Sequence, residues 1–324
     1  MKTMLKWAVC TLLMLAGAAS AQEAFPTRAV DLVVPFPPGG AADNPARILG
    51  ESLSNIWKQP VVINNRAGAG GGVGTGYVSR SAPDGYTLLA TNPGLLSVPE
   101  SERMFGRSAQ FDRSNFVPLA LLVADPTVLV VKADAPWKTY EEFVAAAKKN
   151  PDSITYASSG VYSALHLPIE MLSHGAGIKL RHVPYKGGGP AIMAVIAGEV
   201  AATAGVPAAL AQHIKSGALR PLVSTGAKRH EGLPGVPTAI ELGYKDVEFY
   251  LWIGTFAPAK TPDALVQKIR ADIRRAVREE SGFTQRMAKI GAPIDYRDGP
   301  AFVEFLNKDA ERIKTAIQRI GKVE

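Results

Sequence analysis

One short stretch decides the fold: Val33-Val34-Pro35-Phe36-Pro37-Pro38-Gly39-Gly40-Ala41-Ala42-Asp43. It predicts a buried strand, a turn stiffened by prolines, and a helix that begins near Asp43. The N–H groups and the partial positive charge at a helix start favour an anion. Gly39 and Gly40 let a ligand approach the backbone closely, and Asp43 lies at the N-cap position. A tight turn without any ligand fits this stretch about equally well.

Buried strands and amphipathic helices alternate along the rest of the chain. Apolar runs predict strands at residues 29–34, 61–63, 87–90, 117–123 and 128–131. Helical periodicity predicts helices at residues 43–56, 74–81, 139–149, 163–173, 190–197, 207–216, 262–279 and 300–320. This alternation is typical of an α/β fold with parallel sheets and crossover helices. Residues 92–115 lack periodicity, and we expect a long loop there.

The N-terminus predicts export. Lys2 and Lys6 precede an apolar run from Trp7 to Ala16, and the following small residues end at Ala21. This is the pattern of a signal peptide, residues 1–21, with cleavage before Gln22. The run is shorter than the roughly 20 residues that cross a bilayer. Cys10, the only cysteine of the sequence, lies inside this segment, so neither a disulfide nor a lipid anchor is implied.

Length and charge narrow the class of protein. The chain has 324 residues, and a chain of roughly 300 residues after processing usually forms more than one lobe. The formal net charge of +7 includes the two lysines of the signal peptide. The densest basic stretch, residues 270–278, lies on a predicted surface helix. Nucleic-acid binders concentrate cations beside aromatic residues on one face, so we expect no nucleic-acid partner.

A glycine-rich segment follows the second predicted strand: Asn64-Asn65-Arg66-Ala67-Gly68-Ala69-Gly70-Gly71-Gly72-Val73-Gly74. It resembles a dinucleotide-binding turn, but the register fails. A G-x-G-x-x-G pattern that starts at Gly68 ends on Val73, and one that starts at Gly70 ends on Thr75. No Gly-Lys-Ser/Thr follows either, so the segment predicts no nucleotide site and no cofactor.

A third segment repeats the strand, turn and helix pattern: Tyr156-Ala157-Ser158-Ser159-Gly160-Val161-Tyr162-Ser163-Ala164-Leu165-His166-Leu167. If each lobe supplies one such helix start, the two face each other where open α/β sheets bind ligands, at the carboxyl ends of the strands. His166 taken alone is more often a packed helix residue than a ligand contact, at roughly three to one.

A fourth segment ends a strand with an aromatic residue, a cation and a glycine-rich turn: His182-Val183-Pro184-Tyr185-Lys186-Gly187-Gly188-Gly189-Pro190. A surface hairpin is the alternative interpretation. The position of Tyr185 and Lys186 at the carboxyl end of a strand favours the cleft.

Signatures of enzymes are missing from the sequence. It contains no G-x-S-x-G nucleophile elbow, no H-E-x-x-H and no pair of cysteines. The histidines at positions 166, 174 and 182 are too widely spaced for a local zinc motif. We therefore expect a binding protein, with no catalytic residues and no metal site.

Taken together, these segments resemble the Bug-type extracytoplasmic solute receptors of tripartite tricarboxylate transporters, from Pro26 to the end of the chain. The motifs occur in the order of that family: Pro26-Thr27-Arg28, Val34-Pro35-Phe36-Pro37-Pro38-Gly39-Gly40, Asn65-Arg66-Ala67-Gly68-Ala69-Gly70-Gly71, Pro83-Asp84-Gly85-Tyr86-Thr87-Leu88-Leu89, Val183-Pro184-Tyr185-Lys186-Gly187 and Leu233-Pro234-Gly235-Val236-Pro237-Thr238.

The resemblance implies a type II periplasmic-binding-protein fold, with two α/β lobes around a ligand cleft. Lobe one comprises residues 22–124 and 253–324, lobe two comprises residues 125–252, and the crossing strands are residues 121–130 and 252–258. It also implies a monomeric periplasmic receptor that captures a small carboxylate and delivers it to the membrane subunits of a tripartite tricarboxylate transporter.

The resemblance places the carboxylate between the Pro-Gly-Gly turn, the Ser/Gly turn of lobe two and bridging waters. The candidate ligand-binding residues carried over from it are Phe36, Pro38, Gly39, Gly40, Ala41, Asp43, Ser159, Gly160 and Ser163. Further candidates at the predicted cleft are Asn92, Tyr162, His166, Tyr185 and Lys186.

The sequence departs from the family pattern at three places. Ala41-Ala42 replaces a common hydroxyl, Tyr162 a common glycine, and Ala201 and Gly205 two common aspartates. Losing the acids disfavours an amino group, and a tyrosine ring offers a stacking face, so we expect a plain or aromatic carboxylate. A sensor partner of a membrane kinase and, less favoured, a small-molecule α/β enzyme remain as alternatives.

Overall fold

Two mixed β-sheets, each flanked by helices, form the two lobes of the protein. The computed structural model describes residues 25–279 and 281–323. The predicted signal peptide and Cys10 lie outside the described residues. Within them, no helix is both long and apolar enough to cross a membrane.

Lobe one is built on a six-stranded sheet in the order β11-β4-β10-β3-β1-β2. Its strands are β1 (Val30–Val34), β2 (Val61–Asn65), β3 (Thr87–Thr91), β4 (Phe116–Pro126), β10 (Tyr250–Pro258) and β11 (Arg297–Asp298). Its helices are α1 (Asp43–Trp57), α2 (Gly72–Val78), α3 (Gly94–Met104), α8 (Asp263–Arg278), α9 (Ser281–Lys289) and α10 (Gly299–Ile320). β1, β2 and β3 are parallel, so their carboxyl ends meet at one edge.

Lobe two is built on a five-stranded sheet in the order β7-β6-β8-β5-β9. Its strands are β5 (Val128–Lys132), β6 (Thr155–Ser158), β7 (Arg181–Pro184), β8 (Ala202–Gly205) and β9 (Leu219–Ser224). Its helices are α4 (Tyr140–Lys149), α5 (Leu167–Ala176), α6 (Gly188–Ala197) and α7 (Pro207–Lys215). Here β6, β7 and β8 are parallel, and the helix that follows each of them starts at the carboxyl edge.

The chain crosses between the lobes along β4 and back along β10, which pair as antiparallel strands. β4 belongs to the first sheet and β5 to the second, and only Thr127 separates them. The Thr127 and Thr225 hydroxyls lie 2.8 Å apart and are buried. This arrangement confirms the predicted α/β fold of two lobes with crossing strands.

Several local predictions were wrong. Residues 92–115 do not form a loop, because α3 occupies residues 94–104 and buries Leu95 and Leu96 even though it contains Pro99. The sheets are mixed and not parallel throughout, since β10 runs antiparallel to β3 and β4. α5 begins at Leu167, four residues later than expected, because residues 163–166 form turns. β8, β9, α9 and β11 were not predicted.

Candidate functional site

The cleft between the lobes contains a cavity of about 320 Å³. Its walls come from residues 36–42 and Asn92 of lobe one, Ser159, residues 187–190, Val206 and His213 of lobe two, and Leu251 of β10. Among the described lining residues, only His213 has a titratable side chain. No lysine or arginine of the described chain therefore lines this cavity, and backbone dipoles dominate its electrostatics.

The turn between β1 and α1 presents free backbone donors to the cavity. Within the described chain, the N–H groups of Gly40, Ala41 and Ala42 have no hydrogen-bond acceptor. The Gly40 carbonyl accepts from the Asp43 and Asn44 N–H groups at 3.1 and 3.2 Å, which fixes the turn against the start of α1. Three free N–H groups at the positive end of a 15-residue helix have the chemistry that favours an anion.

Asp43 supports this turn from behind and does not line the cavity. It lies in the first turn of α1, whose N-cap residue is Ala42, so the predicted capping role was wrong. Its buried carboxylate accepts hydrogen bonds from Gly39 N–H at 2.8 Å, Arg47 Nε at 2.7 Å and Asn65 Nδ2 at 2.8 Å. Burial raises the pKa of Asp43, but these donors outweigh it, and the pKa lies below its usual value.

Asn65 is a supporting residue that was not among the predicted site residues. Its amide donates to the Asp43 carboxylate at 2.8 Å and to the Phe36 carbonyl at 3.0 Å. It therefore connects the end of β2 to both sides of the turn. Its position at the carboxyl end of a strand next to β1 was the sequence signal that could have identified it.

The glycine-rich segment after β2 packs against the same turn. A Cβ at Gly71 would lie 2.9 Å from the Phe36 ring, and one at Gly74 would lie 2.8 Å from Pro35. The glycines therefore allow close packing of the backbone. Asn92 lines the cavity nearby, and its Oδ1 accepts from Gly94 N–H at 2.9 Å.

In the turn between β6 and α5, only Ser159 and Leu165 border the cavity. The Ser159 and Ser163 hydroxyls are hydrogen-bonded to each other at 2.9 Å, and Ser163 is fully buried. The Ser158 hydroxyl accepts from Gly160 N–H at 3.1 Å. Gly160 lines a neighbouring cavity beside α3. Most polar groups of this turn are thus satisfied within the protein.

Tyr162 does not line this cavity and borders the neighbouring one beside α3, which contradicts the expectation that its ring lines the carboxylate site. The residue is fully buried and has a left-handed backbone, with φ of 53°. Its hydroxyl donates to the Gly321 carbonyl and accepts from Val323 N–H at 3.2 Å. The ring packs edge-on against Phe105 of lobe one. Tyr162 therefore connects the lobes, because the C-terminal residues follow α10.

His166 is also fully buried and does not line the cleft. Neither ring nitrogen has a hydrogen-bond partner, and its ring centroid lies 4.4 Å from that of His182. Burial lowers the pKa of His166 to about 3 and that of His182 to about 4. Both imidazoles are neutral at pH 7, so they supply no positive charge to an anion. They pack against each other inside lobe two.

The fourth predicted segment contributes its backbone and not its side chains. The Tyr185 hydroxyl donates to Glu199 at 3.0 Å, and neither Tyr185 nor Lys186 lines the cavity. The following glycines do line it, at the start of α6. The expectation that an aromatic ring and a cation enter the cleft was therefore wrong.

The structure thus brings together half of the predicted residues. Those that line the cavity are Phe36, Pro38, Gly39, Gly40, Ala41, Asn92 and Ser159. Those that do not are Asp43, Gly160, Tyr162, Ser163, His166, Tyr185 and Lys186. The helix at residues 207–216 was predicted, but its start was not among the predicted site residues. There Gly205-Val206-Pro207 repeats the strand-to-proline pattern of the first motif, and Gly205 and Val206 line the cavity.

Comparison with known proteins places this chain in a family. The model of the tripartite tricarboxylate transporter family receptor matches residues 45–322. The chain belongs to this receptor family. It is 38% identical to the UPF0065 protein in the tcbD-tcbE intergenic region of Pseudomonas sp. strain P51, over 79% of this chain and 75% of that protein. This match, together with the structure of BugD described next, confirms the resemblance to Bug-type receptors.

Solved structures of such receptors share the fold. The periplasmic binding protein BugD superimposes with a TM-score of 0.84 at 31% identity, over 92% of this chain and 99% of that chain. MatC of Rhodopseudomonas palustris, solved with bound malate, superimposes with a TM-score of 0.83 at 28% identity, over 90% of this chain and 100% of that chain.

Proposed function

We propose that this receptor binds a small carboxylate in the periplasm and delivers it to the membrane subunits of a tripartite tricarboxylate transporter. The observation that carries the proposal is the set of three free N–H groups at the start of α1, in a cavity without lysine or arginine among its described residues. Carboxylates bind well to such donors because each N–H bond to a charged oxygen is short and strong. MatC, solved with malate, supports the same chemical class.

The size and lining of the cavity support a small ligand. A volume of about 320 Å³ lies at the lower end of the range typical of small-molecule sites. Phe36, Leu165, Ile192 and Leu251 give the walls apolar surface. A dicarboxylate, a tricarboxylate or an aromatic monocarboxylate is compatible with this combination.

Two further helix starts support closure around the ligand. α6 begins at Gly188 and α7 at Pro207, and both starts border the cavity from lobe two. Rotation about β4 and β10 would bring these helix ends towards an anion held at α1. We also propose that the receptor delivers its ligand as a monomer and that its N-terminal segment directs its export.

Catalysis is not part of this proposal. The arrangement nearest to a nucleophile pair is Ser158 Oγ at 2.7 Å from His182 Nε2. Ser158 is fully buried, and its hydroxyl also contacts the Gly160 backbone. A substrate cannot reach this oxygen without unfolding the turn.

Thermal unfolding with a panel of acids tests the proposed function. The panel comprises malate, citrate, adipate and benzoate, and each acid is paired with its neutral amide as a matched control. A ligand at about 100 times its Kd stabilises the native state by about 2.7 kcal/mol. We expect at least one acid to raise the Tm while its amide does not. Stabilisation by the amides, or by none of the acids, would contradict the proposal.

A further inference from the structure

A second, smaller cavity continues the cleft behind the β1–α1 turn. It has a volume of about 70 Å³, and we call it the inner pocket. Gly39, Ala41, Val206 and Leu251 border both the cleft and the inner pocket, so the two spaces share walls. The inner pocket is therefore the space next to a ligand that is anchored at the start of α1.

The side chain of Asp125 belongs to this inner pocket. Asp125 pairs with Leu251 and Val123 with Ile253 across the two crossing strands, so these four side chains share one face of the sheet. All four line the inner pocket. The alternate residues Ala124 and Tyr250 do not line the inner pocket and border an external groove. Asp125 also reaches the edge of that groove, where His230 lies.

Asp125 is a buried carboxyl group without hydrogen bonds. It is 1% exposed, and neither oxygen accepts a hydrogen bond within the described chain, although His230 lies next to Oδ1. His230 Nε2 approaches Oδ1 only to 3.5 Å, which is long for a hydrogen bond. His230 Nδ1 accepts from Gly232 N–H, so the proton of the neutral ring is on Nε2. Burial raises the pKa of Asp125 to about 7.

An unpartnered buried acceptor is costly, and a donor that reaches it is correspondingly favoured. The other side chains around the inner pocket are apolar except for Asn44, whose amide donates to the Gly39 carbonyl at 3.3 Å. No other described side chain of the inner pocket supplies a donor to Asp125. A donor on the ligand would fill this role.

We propose that Asp125 is a specificity-determining residue, and that the preferred ligand is a small carboxylate whose far end carries a hydrogen-bond donor, an ammonium or a hydroxyl group. This inference rests on the proposed function, because the carboxylate must first be held at the start of α1. It also modifies the ligand expected from the sequence. Ala201 and Gly205 lack the acids that would bind an amino group, but Asp125 provides a carboxylate from the hinge.

Matched series of linear acids test this inference. Butanoate, pentanoate and hexanoate are compared with their ω-hydroxy, ω-amino and ω-carboxy derivatives by titration calorimetry. We expect the wild type to bind a hydroxy or amino derivative about tenfold or more tightly than the plain acid of the same length. The series that shows this preference identifies the donor. Release of protons on binding of the amino acid, measured in two buffers, would show that Asp125 ionises.

Three variants test whether Asp125 causes the preference for a ligand with a terminal donor. Asp125→Leu should abolish it, so that the hydroxy or amino derivative binds no more tightly than the plain acid of the same length. Asp125→Asn keeps an acceptor but no charge, so it should weaken the ammonium preference more than the hydroxyl preference. Asp309→Asn is the control, because Asp309 is another buried carboxyl and hydrogen-bonds Trp252 away from the cavity. It should leave the ranking of ligands unchanged.

The outcomes separate this inference from the proposed function. If the wild type binds the acids but prefers the plain or ω-carboxy series, or if Asp125→Leu keeps the donor preference, the inference is wrong and the proposed function stands. If the wild type binds none of these acids and none of the earlier panel, the proposed function fails and the inference fails with it.

Discussion

The β1–α1 turn and the β6–α5 turn have the same sequence pattern but opposite chemistry. Each follows a parallel strand and leads into a helix beside the cleft. In the first, the Asp43 carboxylate binds Gly39 N–H from behind, and the next three N–H groups remain free. In the second, hydroxyls bind each other and the backbone, and Tyr162 and His166 are buried. A strand, turn and helix pattern therefore predicts an anion site only where the protein leaves donors free.

The largest expected effect is that of Gly40→Val on binding. A Cβ at Gly40 would meet only the Pro37 carbonyl, at an ordinary 3.5 Å, and Gly40 does not have positive φ, so the fold should tolerate the change. The branched side chain would stand in the cavity beside the free N–H groups. A hydrogen bond to a charged group contributes about 1.5–3 kcal/mol, so loss of two should reduce affinity more than about a hundredfold.

The matched control for this change is Gly235→Val. Gly235 also has open space around its Cβ position and no positive φ, but it lies outside the cavity. Calorimetric titration of both variants should show binding lost in the first and kept in the second. If Gly40→Val binds like the wild type, the carboxylate is held elsewhere.

The next effect concerns the support of the first turn. Asp43→Ala removes the acceptor of Gly39 N–H and of the Asn65 amide, so we expect the unfolding free energy to fall by about 3 kcal/mol. Affinity for the carboxylate should fall as well, because the turn loses its position. Urea unfolding and calorimetry measure the two quantities. Asp43→Asn should retain part of both, whereas equal affinity in all three proteins would show that the turn needs no support.

The histidines packed beside the β6–α5 turn should affect the pH dependence of the unfolding free energy and not the affinity for the carboxylate. Because the pKa of His166 is lowered to about 3 and that of His182 to about 4, from a usual value of 6.5, the native state keeps them neutral while the unfolded chain binds protons. Their contribution to the unfolding free energy is complete above pH 6.5 and is lost as the pH falls towards the native pKa values of about 4 and 3. We expect His166→Leu to reduce this pH dependence by about 2 kcal/mol.

Urea unfolding of the wild type and His166→Leu between pH 4 and pH 7 measures this difference. Taking the difference cancels the titrating groups that do not contact His166, among them Asp125. Carboxylate affinity at pH 7 should be equal in the two proteins. An identical pH dependence, or a large loss of affinity in the variant, would place His166 in a role that the structure does not indicate.

The smallest effect is expected for Tyr162→Phe. The hydroxyl bonds to Gly321 and Val323 are lost, which should lower the unfolding free energy by about 1 kcal/mol. The ring stays in place, and it does not line the cavity at the start of α1, so the ranking of bound acids should not change. A changed ranking in competition experiments would restore Tyr162 as a selectivity residue.

The sequence predicted the features that depend on local pattern. The buried strands β1 to β5, the helices after β1 and β2, and the Pro-Gly-Gly turn were all recognisable, because the period of the apolar residues and the turn residues define them. Seven of the predicted site residues line the cavity for the same reason, since the turns they occupy lie at strand ends.

The features that were missed depend on tertiary contacts. The direction of the Tyr162 ring is set by Phe105 and the C-terminal residues, which are distant in sequence. The role of Asp43 depends on Asn65 from another strand. Asp125 has no surrounding motif, and its burial follows from the pairing of β4 with β10. α3 was obscured by Pro99, although Leu95 and Leu96 pack into the core.

The most direct test of the central claim is the response of individual backbone N–H groups to the carboxylate that most raises the Tm. Nitrogen-15 NMR spectra are recorded during a titration, with the neutral amide of that acid as the control. The account predicts that the amide protons of Gly40, Ala41 and Ala42 move strongly downfield at saturation, as new hydrogen bonds form to a charged acceptor, while those of Tyr162 and His166 move little. Downfield shifts confined to the β6–α5 turn, with no change at residues 40–42, would contradict it.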